Sequence, residues 1–453
     1  MSQPSGNPPK SHTRNKSSLT RGESPQPVGH LAVPLASAGS TTLSRPRPST
    51  KGPVDDRGDP LASSSTPRQS TSSPSPGGQQ SRRSGGGHVA QPDVVPLPLP
   101  DVRPKDFSFL LRPDIYHPLT QLDVPLAFRN SPKRPDPSVP LEELLRRGQF
   151  RAAAVAAVQQ LTTSTDPHDY ERIFGLLYTR LVCLTLIDAT PLAAQEVKAL
   201  EDLNDAPTYI DEGTGEHLVP WELRVLNVRL QSLGFGDPRR AVMSYHELAR
   251  EARAHAAKAG TSHDDAAREL WKARLHDLGI KVAGALIEMD DPSGATHHLA
   301  GLRDGGDGTL GLSKALLWLQ LGDVGKARGC ATATRVVDTE RLILALCDMA
   351  DAEYESALEK WRSLQQSFEG DEMVGVNTAV CLLYLGRIHE GRELLEGLVD
   401  GGYSSHSLLF NLSTMYELCS EKNRNLKVKL ADRVAAMAES PTGWERTNAD
   451  FKL

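Results

Sequence analysis

Along the C-terminal half of the chain a small residue recurs at near-constant spacing, each time closing a six-residue phrase. Gly322-Asp323-Val324-Gly325-Lys326-Ala327, Ala352-Glu353-Tyr354-Glu355-Ser356-Ala357 and Gly386-Arg387-Ile388-His389-Glu390-Gly391 set Ala327, Ala357 and Gly391 thirty and thirty-four residues apart. Further copies ending on Ala153 and Ala241, and a looser one ending on Ala295, extend the series upstream, and Ala295 lies thirty-two residues before Ala327. Apolar residues flank the phrases at helical spacing, as in Val155, Val158 and Leu161 after Ala153, so each phrase reads as the turn of a helical hairpin. Such units cannot bury a face alone and must stack on one another.

Thirty-four residues is the tetratricopeptide period, one antiparallel helix pair per repeat. A second register supports it: Ala379 and Ser413 lie thirty-four apart at the small position of a first helix, with Leu382 and Tyr416 three places on. Two helices approach closely only where neither side chain is large, while bulky neighbours fill the groove. The expected fold is therefore all-α, a tetratricopeptide-like α-solenoid over 141–453. The runs Asp166 to Leu203 and Leu248 to Met289 are helical but lack good phrases and read as divergent repeats, with room for one more hairpin near Leu192 to Leu200.

Composition divides the chain. Hydrophobic residues are 38% overall, with 37 Gly and 32 Pro, and the imbalance is concentrated in residues 1–104, a Ser/Pro/Gly-rich tail. Such a segment cannot bury enough apolar area to offset the entropy of ordering and is expected to be a long disordered tail. Its basic residues are scattered singly rather than blocked into a lipid or nucleic-acid anchor. Ser24, Thr66, Ser73 and Ser75 each precede proline, a context for phosphorylation. The start has no apolar signal-peptide core, its Pro and Gly break the amphipathic helix of a transit peptide, and no apolar run is long enough to span a membrane, so a cytoplasmic address is expected. The five cysteines are dispersed without a Cys-x-x-Cys pair and read as buried small hydrophobes.

Residues 105–140 regain apolar character through Phe107, Phe109, Leu110, Tyr116 and Phe128, but seven prolines from Pro113 to Pro140 exclude a useful helix. This predicts an extended Pro-rich arm laid on a folded surface, of the same chain or of a partner, or else a loose linker.

Catalytic motifs are few. Gly305-Gly306-Asp307-Gly308-Thr309 matches a glycine-rich kinase signature, yet it follows helical residues rather than a buried strand and suits an inter-repeat loop better. It lacks the Gly-Lys-Ser/Thr of a phosphate loop and the terminal Glu of a calcium loop. His297-His298 has no evident metal partners, His246-Glu247 lacks the second zincin histidine, and no Gly-x-Ser-x-Gly occurs; the histidines read as surface residues. No catalytic, cofactor or metal residue is assigned. Few aromatics and an acidic folded region argue against nucleic acid. A chaperone-tail clamp fails as well, because its positions fall on Leu342, Leu346, Ser407 and Asn411, and only Asn377 matches.

The stretch Asn377-Thr378-Ala379-Val380-Cys381-Leu382-Leu383-Tyr384-Leu385-Gly386-Arg387 and the stretch Ser407-Leu408-Leu409-Phe410-Asn411-Leu412-Ser413-Thr414-Met415-Tyr416-Glu417-Leu418 go beyond repeat consensus. They resemble the subunit-twelve family of the transport protein particle (TRAPP) complex. Val219 to Leu226, Arg268 to Leu275, Gly148 to Ala153, and Asn448 with Lys452-Leu453 are similar to that family too, so that the resemblance runs from Pro125 to Leu453. The glycine string at Gly305 departs from it. The resemblance implies a non-catalytic subunit of a TRAPPIII-type exchange complex for a Rab-family GTPase, acting in ER-Golgi transport and autophagy. The large eighth and eleventh subunits are its expected neighbours, with no direct insertion into the membrane. The competing expectation is a freestanding tetratricopeptide adaptor for a peptide of another assembly.

Overall fold

A helix can reverse into an antiparallel neighbour within two or three residues only if its end takes a left-handed residue and its last carbonyls still find donors. Among the described residues the computed structural model shows that solution eight times, at Gly148, Asp188, Gly236, His263, Asp290, Gly322, Ala352 and Gly386, with φ from +56° to +79°. At each, the following residue donates its backbone N–H to the carbonyl five positions back, as Arg387 does to Leu382 at 2.8 Å. That following residue also starts the next helix. Asp237, Asp291 and Asp323 cap it with their side chains, accepting from the N–H groups of Arg240, Gly294 and Lys326.

The structure describes residues 105–203, 207–302, 309–334 and 336–453. The expectations for the tail 1–104 and for the glycines of the Gly305 string lie outside these residues. Among these residues, after a short α1 (Leu126–Arg129), sixteen α-helices form eight hairpins. The first three are α2 (Leu141–Arg146) with α3 (Phe150–Ser164), α4 (Tyr170–Leu186) with α5 (Thr190–Glu196), and α6 (Trp221–Phe235) with α7 (Pro238–Thr261). Next come α8 (Asp265–Glu288) with α9 (Pro292–Gly301), α10 (Thr309–Gln320) with α11 (Val324–Ala333), and α12 (Val337–Ala350) with α13 (Tyr354–Ser367). The last are α14 (Glu372–Tyr384) with α15 (Ile388–Asp400) and α16 (His406–Cys419) with α17 (Asn423–Ala436). Among the described residues there is no strand, only a single bridge between Ile210 and His217. The fold is an all-α, tetratricopeptide-like solenoid.

The phrase-closing residues Ala153, Ala241, Ala295, Ala327, Ala357 and Gly391 are all buried, as are Ala379 and Ser413. Gly391 shows why size matters: a Cβ there would come 3.1 Å from both the Ala379 carbonyl oxygen and the Met415 methyl. Two departures from the sequence reading concern the divergent regions. The hairpin α4–α5 carries a full copy of the phrase, Asp188 to Ala193, with Ala193 buried at the equivalent place. Between Ala241 and Ala295 no extra hairpin is inserted; the added chain lengthens α7 and α8 to 24 residues each. Trp271 on α8 meets Trp221 at the start of α6 at 5.2 Å, with the Arg274 guanidinium over both rings.

A third departure is at the end of the array. The helices stop at Ala436, and residues 437–453 fold back as an irregular tail that buries Trp444 and Phe451. The arm lies on its own chain. Phe107, Leu110 and Tyr116 pack into the core of the first hairpins, whereas Val124 and Phe128 pack with Trp444 and Phe451 in the core of the last ones.

Candidate interaction surface

Two devices hold the arm. The first is an ion pair wholly out of solvent: Arg180 on α4 meets Glu196 on α5 at 2.7 and 2.9 Å. Glu196 also accepts the backbone N–H of His117 at 2.9 Å, and Arg180 donates to the His117 carbonyl at 2.8 Å. The pair thus grips both main-chain groups of one arm residue, satisfying charges that would otherwise be costly to bury. The second device joins the two ends of the array. Gly148, in the turn between α2 and α3, accepts the Trp444 N–H at 3.1 Å. Gln149 donates to Glu439 at 2.9 Å and to the Lys133 carbonyl at 3.1 Å, and Arg151 pairs with Glu445. Asn448 donates its backbone N–H to the Asp123 carbonyl at 2.7 Å, and Phe128 meets Trp444 edge to face at 5.4 Å. His406 and Asp450 pair at 2.6 Å beside this junction. The hydrogen bond from Asp450 holds the His406 imidazole above its usual pKa. Burial pushes Asp450 up, but His406 and the Thr447 N–H pull it further down, to a net value below the usual carboxylate range.

Exposed apolar side chains remain at the junctions between successive hairpins: Val336 and Val337 at the start of α12, Phe368 and Met373 around the start of α14, and Tyr403 before α16. These loops are neighbours. Ser367 donates to Asp338 at 3.3 Å, and a Cβ on Gly370 would sit 3.6 Å from the Tyr403 hydroxyl. The result is an apolar row along one edge of the last repeats, which a protein partner could cover.

Several residues singled out for chemistry are taken up internally. Asn377 is buried and donates to the Met373 carbonyl of its own helix at 2.9 Å. His297 is exposed, while His298 bonds the Gly279 carbonyl at 3.0 Å and His217 bonds the Leu203 carbonyl at 3.0 Å. Those two histidines are therefore structural rather than surface residues, because each has a main-chain group within reach of an imidazole nitrogen. Cys183, Cys347 and Cys381 are buried, and burial raises their thiols to about 12, 11 and 12. Cys330 and Cys419 are only half-buried, against expectation; Cys419 is the last residue of α16, where the helix end reaches solvent. No group of His, Cys, Asp and Glu able to hold a metal ion, and no helix long and apolar enough to cross a membrane, occurs among the described residues.

No family model matches the chain. It is 25% identical over 295 residues to the human "Trafficking protein particle complex subunit 12", covering 57% of this chain and 40% of that protein. The mouse protein of the same name is 25% identical over 296 residues, covering 58% and 37%. The chain therefore spans about two fifths of the length of the curated relatives it matches. A solved tetratricopeptide domain, that of P58(IPK), aligns at 13% identity over 67% of this chain and 93% of that one, with a TM-score of 0.20, too low to support any argument. The chain resembles subunit 12 of the trafficking particle complex.

Proposed function

We propose that the chain is a non-catalytic scaffold subunit of a TRAPPIII-type tethering and Rab-exchange complex, joining large peripheral subunits. The resemblance to subunit 12, together with the uncovered apolar row from Val336 to Tyr403, carries this reading. A repeat array holds partners by area rather than by a reacting group, and its stacked interfaces keep them at a fixed separation. The arm is not offered to partners in this reading, since its aromatic residues are spent on the chain's own core. The expected neighbours are the eighth and eleventh subunits, the expected address is cytoplasmic and peripheral to ER-Golgi membranes, and the expected processes are ER-Golgi transport and autophagy.

Affinity purification with crosslinking tests it. Stoichiometric recovery of TRAPP subunits is the expected result, with crosslinks concentrated on the loops before α12, α14 and α16. Val337→Asp with Phe368→Asp should abolish recovery while leaving the helical signal unchanged. Absence of TRAPP subunits at low salt would sink the assignment and leave the freestanding adaptor.

A further inference from the structure

Helix α7 turns Ala241, Tyr245, Leu248, Ala249, Ala252 and Ala259 inward. Its opposite face carries Arg239, Met243, His246, Arg250, Arg253 and Ala257, all of them exposed. Their separations alternate between four and three residues, so they form one straight stripe about 27 Å long at 1.5 Å per residue. The stripe holds three guanidinium groups and no acidic residue. The acids of the same helix stand beside it or turn away: Glu251 faces Arg224 at 2.5 and 2.7 Å, and Glu247 flanks the stripe 3.7 Å from Arg250. Arg239 and Arg253 make no hydrogen bond or ion pair among the described residues.

In a chain with a net charge of −6, exposed cations ordinarily find acids on their own helix. The neighbouring helix α8 follows that pattern, pairing Arg268 with Asp265, Lys272 with Glu269 and Lys281 with Asp277 at 3.7, 2.7 and 3.2 Å. On α7, like charges three and four residues apart repel instead. Burial first, and then His298, Arg253 and Arg250, hold the His246 imidazole below its usual pKa. Acids supplied from outside would relieve this row, and its narrowness decides their form. Along one flank, Arg240 shares a groove with Glu201, Asp202, Asp237 and Glu247, and along the other the His298 ring lies 6.3 Å from that of His246. A broad anionic surface such as a bilayer would meet both signs, whereas a rod laid along α7 meets the cations alone. Helices pack against one another along this alternating spacing of four and three. We infer that α7 docks an acidic helix of a protein partner, its carboxylates seating on Arg239, Arg250 and Arg253 and an apolar side chain between them on Met243, which is 62% exposed. The inference rests on the scaffold reading only in taking the partner to be a protein. Peptide binding to the purified full chain can fail while TRAPP recovery succeeds, and the reverse.

The probe is a fluorescein-labelled, alanine-based helical peptide with Glu at alternating spacings of four and three, read by anisotropy. A peptide of the same composition with its Glu residues spread around the helix is the control. The striped peptide should bind, and the control should be weaker by about tenfold. Arg250→Glu with Arg253→Glu changes two exposed groups, so melting should be unchanged while binding of the striped peptide is lost; the same peptide with Lys for Glu should then bind the variant better than wild type. Should that variant melt lower, Arg253→Gln, which removes an unpaired group, should still weaken the striped peptide severalfold. Equal binding of the two Glu peptides, equal binding by wild type and variants, or no gain with the Lys peptide would overturn the proposal. Capture of the wild type, and not of the charge-reversed variant, by phosphatidylserine vesicles without binding of the striped peptide would also overturn it, making the stripe a lipid-facing surface.

Discussion

The hairpins α2–α3 and α14–α15 open on the same turn, glycine in a left-handed conformation, and differ in everything around it. Gly386 needs only its φ of +78°, with nothing within 4 Å of where a Cβ would stand. Gly148 needs its φ of +67° and also the space: a Cβ there would lie 2.1 Å from the Ser440 carbonyl oxygen and 2.7 Å from Gly443. One glycine therefore serves its own hairpin, and the other also serves the closure of the array. The local rule is the same for both, but the second role depends on residues almost three hundred positions away.

The comparison can be broken most severely at the arm. Arg180→Met leaves Glu196 buried and unpaired and should cost about 3–5 kcal/mol in denaturant unfolding of the full chain. The double variant Arg180→Met with Glu196→Leu should recover only part of that, because the His117 N–H and carbonyl would remain without partners. Full recovery would mean that the pair does not anchor the arm. Gly148→Ala comes next, at about 2–5 kcal/mol from a strained φ added to overpacking, with faster proteolysis after residue 437. In the interior repeats, Ala357→Leu must enter a site that is fully buried beside Trp361 and should cost about 1–3 kcal/mol. Gly386→Ala should cost about 1 kcal/mol and leave the tail as protected as before; a loss equal to that of Gly148→Ala would erase the distinction between the two turns.

The smallest expected effect is on pH dependence. His406 is held above its unfolded pKa of 6.5, so its contribution is complete below that value and disappears as pH rises through the folded one. Asp450 is held below 3.8, so its contribution is present above that value and disappears on further acidification. The pair should therefore protect the tail best between about pH 4 and 6.5. Hydrogen exchange of residues 444–453 should speed up modestly from pH 6 to pH 8 after correction for intrinsic rates, and His406→Gln should remove the difference. The His406 side chain is largely exposed, so solvent screening keeps the effect small.

Much of the hairpin architecture was legible because each turn is written locally. A left-handed residue, a capping residue and a small residue occupy fixed offsets, and Gly322, Asp323 and Ala327 spell all three. Where the spelling changed, legibility fell: Asp188 tolerates the left-handed region without being glycine, so the hairpin it ends was placed only approximately. The lengthening of α7 and α8 was hidden for another reason, since alanine-rich helix can continue or turn without much change in pattern. The junction of the arm, the first hairpin and the tail was not legible at all. Asp123, Phe128, Trp444 and Asn448 carry no shared motif, and nothing in their spacing brings them together.

The sequence by itself determined a stack of helical hairpins, because helix, cap and turn preferences act over a few residues and repeat with the period. Only the tertiary structure decided that the arm packs on its own chain and that the tail meets the first hairpin. Those outcomes depend on burial and hydrogen bonding between segments hundreds of residues apart, such as Asn448 with Asp123, and local preference carries no record of such pairings.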